Sequence, residues 1–144
     1  MKIAVVGAGI FGVTIAYTLA KNHSVDLFEK NNDIMMESSD VNQCRIHRGY
    51  HYPRSPDTVK EVLIANRSFN DEFHEAIITN TENYYCISKT GSLTSSNQFE
   101  DFCKKFDLEY ELITPSVMNK NSIDLCFKVK ENLFDHKKIK KICW

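Results

Sequence analysis

The apolar residues of this chain follow the helical period in some stretches and a strand pattern in others, with one long stretch that follows neither. Ile3-Ala4-Val5-Val6 is a short β-branched run that stops at Gly7, the composition of a strand buried on both faces of a parallel sheet. From Ile10 to Asn22 the period changes. Ile10, Val13, Ala16, Tyr17 and Ala20 recur at three- and four-residue steps, which predicts a helix closed by Lys21-Asn22. Val25 to Phe28 predicts a second strand ending at Glu29, and Lys30-Asn31-Asn32-Asp33 a turn.

Between residues 33 and 57 neither period is sustained, and Ser, Pro, His, Tyr and Arg accumulate. Such a length without pattern predicts a structured loop, and its rings and cations point to a functional one. Beyond Pro56 a helix is expected to about His74, capped by Asp57, with Val59, Val62, Leu63, Asn66, Phe69 and Phe73 on one side. Strands are expected at Tyr84–Ser88, Glu109–Ile113 and Ile123–Val129. Ser95-Ser96-Asn97-Gln98 is a capping-box signature that opens a helix through Phe99, Phe102, Cys103 and Phe106. Phe134 to Trp144 has the pattern of another helix, in which Lys137, Lys138, Lys140 and Lys141 form a solvated face.

Composition narrows the classes. With 42% hydrophobic and 26% charged residues in 144, the chain can bury a core. A net charge of -1 supplies no surplus of cations for nucleic acid. No apolar run reaches the length of a membrane span or signal sequence, because Gly7 and Gly9 interrupt the first one. A cytoplasmic protein is expected. The five cysteines are odd in number, widely spaced and free of any C-x-x-C; they read as free thiols, with neither a disulfide framework nor a metal site.

Gly7-Ala8-Gly9-Ile10-Phe11-Gly12 is a G-x-G-x-x-G placed between a strand and a helix, followed by a second strand whose closing acid, Glu29, lies 17 residues past Gly12. In that setting each glycine has a task in binding a dinucleotide: Gly7 the tight turn, Gly9 the approach of the diphosphate, Gly12 the packing of helix on strand. The helix N-terminus offers N–H groups and its dipole to phosphate. Glu29 can accept from a ribose, and its charge disfavours a 2′-phosphate, so NADP is the dinucleotide least expected. An NAD domain would continue into a helix and third parallel strand soon after Glu29; the polar stretch that follows instead suits a segment laid along FAD.

The run Ser38-Ser39-Asp40-Val41-Asn42-Gln43-Cys44-Arg45-Ile46-His47-Arg48-Gly49-Tyr50-His51-Tyr52-Pro53, taken with the glycine motif, resembles the FAD-dependent oxidoreductases of the D-amino-acid oxidase family. The detailed likeness covers about the first 60 residues, and the stretch from Tyr84 to Phe106 looks like the start of that family's substrate domain. The resemblance implies an α/β fold: a Rossmann-like FAD-binding βαβ unit over residues 1–80, then the start of an α+β substrate domain over 81–144. It implies cofactor contacts at Gly7, Gly9, Ile10, Phe11, Gly12, Glu29 and Lys30. Ser38, Ser39 and Asn42 would lie along the pyrophosphate and ribityl chain, and Arg45 and His47 would approach the isoalloxazine.

His47 and Arg45 are the candidates for catalysis, against the plainer readings of an ordinary hydrogen bond and an ordinary ion pair. Arg45 and Arg48 have the chemistry to hold a substrate carboxylate, while Tyr50 and Tyr52 suit packing as well as binding. The expected partner is an amino acid, hydroxy acid or related small polar substrate. Family members are longer and return late in sequence to complete the FAD domain, so this chain is expected to be an N-terminal portion, inactive alone, with a complementing C-terminal half as a further partner. The alternatives are an NAD-binding dehydrogenase or epimerase and a non-catalytic dinucleotide-binding module.

Overall fold

A computed structural model describes residues 1–144. In chain order the elements are β1 (Lys2–Val6), α1 (Ile10–Ala20), β2 (Ser24–Phe28), β3 (Arg45–Ile46), α2 (Pro56–Glu72), a 3-10 turn (His74–Ala76), β4 (Ile77–Ile78), β5 (Asn83–Ser88), α3 (Ser96–Lys105), β6 (Tyr110–Leu112), β7 (Ile123–Val129), β8 (Asn132–Phe134) and α4 (His136–Cys143). They pack into two compact units, one of residues 1–44 with 134–144, the other of residues 45–133.

In the first unit β1 and β2 pair in parallel from Lys2↔Ser24 to Val6↔Phe28, which obliges the chain to cross over through α1. Val13 and Ala16 of α1, Ala8, Ile34, Met35 and, from α4, Ile139 are buried. Asp135 caps α4 through the N–H groups of Lys137 and Lys138. Two contacts tie α4 to the loop after β2: His136 Nε2 lies 2.7 Å from Asp40 Oδ1, and Lys140 Nζ pairs with Asp33 at 3.0 Å. Lys140 is therefore half-buried, whereas Lys137, Lys138 and Lys141 lie on the exposed face. The expectation that β1 is buried on both faces does not hold. Val6 is 85% exposed and Phe28 55%, because only one face of this two-stranded sheet is covered by helix.

The second unit holds two three-stranded sheets, ordered β3-β8-β4 and β5-β7-β6. In the latter β7 is central and antiparallel to both neighbours, with Tyr85↔Phe127 and Tyr110↔Val129 in register. Its core joins Tyr50, Val59, Phe99, Phe102, Cys103, Leu108, Phe127 and Val129. The capping box forms as expected, with Ser95 accepting from the Gln98 N–H and Gln98 returning to the Ser95 N–H. The helix after Pro56 begins differently: Ser55 occupies the cap position, its hydroxyl 2.7 Å from that of Thr58, and Asp57 pairs with Lys60 in the first turn. Cys86 and Cys126 face each other across β5 and β7 and are joined as a disulfide. This corrects the expectation of five thiols.

Candidate functional site

The glycine loop starts where β1 ends. Gly7 donates to the Phe28 carbonyl at 2.7 Å, which prolongs the ladder by one step and brings Glu29 against the loop. Gly7 has φ +93, a conformation side chains rarely adopt. A Cβ on Gly12 would stand 1.8 Å from the Gly7 carbonyl oxygen, so α1 can close on the turn only with glycine there. Gly9 is different. Its φ of -67 and ψ of 177 suit any residue, and an added Cβ would meet nothing nearer than Ser39 Oγ at 3.7 Å. Neither backbone nor packing requires glycine at that position, and a ligand lying against the loop would.

Glu29 turns inward. Its Oε2 accepts from the Ala8 N–H at 2.7 Å, and its Oε1 from the Asn31 N–H and side-chain amide at 2.9 and 3.0 Å. The Ala8 bond above all, then that from the Asn31 N–H, holds the carboxyl below the usual glutamate range against a partial loss of hydration. An ionised carboxylate only accepts hydrogen bonds, which suits it to a ligand hydroxyl. The anion at neutral pH also opposes a 2′-phosphate.

Ser39, buried, accepts from the Ile10 N–H at 3.0 Å. It caps the first turn of α1 from 29 residues away, and its own hydroxyl hydrogen remains for an acceptor such as phosphate. Phe11 and Gly12, also in the first turn, have no intrahelical acceptor for their N–H groups. The Phe11 side chain is exposed. Asn42 folds the neighbouring loop, donating to the Ser38 and Ser39 carbonyls and accepting from the Cys44 N–H. Lys30 pairs with Glu37 at 2.8 Å on the surface. Gly7, Gly9, Gly12, Ile10, Glu29 and Ser39 are thus gathered at one turn; Lys30, Ser38 and Asn42 flank it.

Arg45 and His47 belong to the second unit, where they meet a residue the sequence reading missed. Glu131, between β7 and β8, is 1% exposed. The Arg45 guanidinium donates to its Oε2, the Arg48 N–H to its Oε1 at 2.9 Å, and the Tyr85 hydroxyl to its Oε2 at 3.3 Å. His47 Nδ1 lies 3.7 Å from Oε1. Burial acts to raise the Glu131 carboxyl, but His47, the Arg48 N–H and the Arg45 charge outweigh it and hold it below the usual range. Arg45 also stacks on the Tyr85 ring, 4.9 Å from its centroid. Its Nε and the His47 Nδ1 are buried without a hydrogen-bond partner. The signal that could have revealed Glu131 is an acid two residues past the end of β7, in a link to β8 that contains no turn residue.

Residues 2–133 match the model of the FAD dependent oxidoreductase family. An FAD-dependent monooxygenase of Aspergillus flavus is 30% identical over 112 residues, covering 72% of this chain and 26% of that protein. Another, from Fusarium mangiferae, is 26% identical over 133 residues, covering 92% of this chain and 36% of its own. Among solved structures, glycine oxidase from Geobacillus kaustophilus superposes with a TM-score of 0.69 at 14% identity, over 98% of this chain and 42% of that one; at that identity the likeness is one of fold. The chain thus spans about a quarter to a third of the length of these curated relatives. No helix is long and apolar enough to cross a membrane. With a loop that keeps glycine at position 9 for no structural reason, a carboxylate turned into it, and a family match over nearly its whole length, the chain belongs to the FAD-dependent oxidoreductases.

Proposed function

We propose that the turn of Gly7, Gly9 and Gly12 holds the diphosphate of FAD and Glu29 its adenosine ribose, in an oxidoreductase that acts on an amino acid, hydroxy acid or related small polar substrate. The observation that carries the reading is Gly9: the fold tolerates a side chain there, and a phosphate in contact with the backbone does not. Ser39 supports it, since a serine capping Ile10 can accept from the helix and donate to phosphate at once. When bound, FAD would supply the hydride acceptor. The chain's own part is to bind and orient: the first-turn N–H groups of α1 and its dipole meet the phosphate charge, Glu29 receives a ribose hydroxyl, and the resemblance assigns Arg45 and His47 to the isoalloxazine. Oxygen insertion, named for the two fungal relatives, is the second reading.

Equilibrium titration of the purified chain with FAD, ADP, NAD and NADP tests this. FAD and ADP should compete for one site, with NADP the weakest; binding of NAD in preference to FAD, or of none of them, would overturn it. Activity is the separate question. The proposal that 144 residues bind but do not turn over falls if the isolated chain carries a flavin that an amino acid or hydroxy acid bleaches. Bleaching that requires a nicotinamide donor, in the complete protein, would favour the monooxygenase reading.

A further inference from the structure

Glu131 is pinned at both ends. Its main-chain carbonyl accepts from Thr81 Oγ1 at 2.8 Å and Asn83 Nδ2 at 2.7 Å, and its carboxylate is held by Arg45, the Arg48 N–H and Tyr85. An acid this constrained is a fixed reference point for whatever packs on it. His47 packs on it. The main chain of His47 is itself fixed by Asn66, whose side chain donates to the His47 carbonyl at 3.1 Å.

The His47 side chain is 38% exposed, yet its Nδ1 has no access to solvent and no hydrogen-bond partner. The exposed part of the ring is therefore the opposite edge. At Nδ1 the near charge is Glu131 Oε1, 3.7 Å away, too long for a formed hydrogen bond and close enough for its field to decide the proton. The other groups around the ring are the Arg45 guanidinium, bound to the same carboxylate, the His51 ring at 5.7 Å, the Tyr52 ring at 6.5 Å, and Tyr85. A lone pair at Nδ1 would face an anion in a buried position with nothing to satisfy it; an N–H there faces its only acceptor.

We propose that Glu131 is a positioning residue that fixes His47 in its Nδ1–H form, so that the exposed edge presents an Nε2 lone pair to a ligand. The consequence is directional: His47 accepts a proton or hydrogen bond from an O–H or N–H, and does not donate one while neutral. This rests on the functional reading only in assigning that ligand to the flavin and substrate site. Arg45 holds the carboxylate in place through its own hydrogen bond to Oε2.

The tautomer can be read directly by long-range nitrogen–proton correlation spectra of the 144-residue chain, with His47 assigned by the peaks that vanish in His47→Gln. In the neutral ring, Nδ1 should carry the proton and Nε2 should show the shift of a bare nitrogen. Glu131→Gln should lower the ratio of Nδ1–H to Nε2–H forms about tenfold, the size of loss expected when a unit charge about 4 Å away is removed, and Glu131→Asp should restore most of it. An Nε2–H form in the unaltered chain overturns the proposal, and that measurement stands even where the glutamine variant does not fold. An unchanged tautomer in a folded Glu131→Gln overturns it as well. Adding FAD separates the two claims: if the Nδ1–H form is present but FAD leaves the His47 resonances unmoved, the functional reading fails and the positioning role survives.

Discussion

The two candidate regions of this protein are built on opposite principles. The glycine loop is made chiefly of backbone, one turn, one helix end and two strand ends within the first 29 residues, with the Glu29 carboxylate turned into it and Ser39 against its first helical turn. The Glu131 cluster is made of side chains, and Arg45 lies 86 residues from its partner. A backbone site advertises itself in sequence because it constrains residue size at fixed spacing. A side-chain site that depends on which strands meet carries no such spacing, and its members look like ordinary acids, arginines and histidines.

The sharpest way to break this contrast is to delete Glu131. Glu131→Ala removes a buried anion and leaves the Arg45 guanidinium and the Arg48 N–H without their acceptor, so a loss of about 3–5 kcal/mol is expected. Urea unfolding followed by circular dichroism reads it, and a loss under about 1 kcal/mol would mean that the cluster is dispensable to the fold. Tyr85→Phe, which removes only one hydroxyl at 3.3 Å, should cost about 1 kcal/mol.

Next comes Gly12→Ala in the other region. A methyl carbon 1.8 Å from a backbone oxygen cannot be accommodated by a side-chain rotation, and the turn must open. A loss of about 3 kcal/mol, at the upper end for overpacking, is expected together with loss of FAD binding. Gly12→Ala with unchanged melting temperature would show that helix and strand do not close as tightly as drawn.

Legibility follows the same division. The strand-helix-strand order, the capping box at Ser95 and the long strand β7 were all visible, because each leaves a pattern of apolar, glycine or capping residues over a few consecutive positions. The strands β4 and β8 were not. At two and three residues they are too short to show alternation, and they exist only because β8 lies between β3 and β4 in one sheet assembled across the intervening chain. The Cys86–Cys126 bond was invisible for the same reason: 40 residues separate the pair, and only the register of β5 on β7 sets them face to face. Ser55 took the helix cap from Asp57 because Pro56, lacking an N–H, fits the first helical position and moves the start two residues earlier than the acid suggests.

Acid should affect the loop through Glu29. Its folded-state pKa is depressed, so the stability it contributes is present above the ordinary glutamate value and is lost as the pH falls through the lower folded one. FAD affinity and loop order should therefore persist through the normal carboxylate range and decline below it. In Glu29→Gln that part of the acid limb should disappear. A loss centred on or above the ordinary value would mean that the Ala8 and Asn31 bonds do not form. Away from both regions, Ser95→Ala removes one half of the capping box and should cost about 1 kcal/mol without changing FAD binding.

The smallest expected change in stability is also the most informative about function. Gly9→Ala places a methyl in allowed backbone geometry with only an ordinary contact to Ser39. Two terms oppose each other there: alanine is a poorer cap than glycine, and it reduces the freedom of the unfolded chain, each by about 0.5–1 kcal/mol. Unfolding should thus shift by less than about 0.5 kcal/mol. The same methyl projects from the backbone face that the diphosphate would approach, and FAD and ADP affinity should fall together, by at least about tenfold. A position where binding collapses while stability does not is one kept small for the ligand rather than for the fold. If both properties stay constant, the glycine at position 9 has no role in binding and the site lies elsewhere; if both collapse, it belongs with Gly12 among the residues that close the turn.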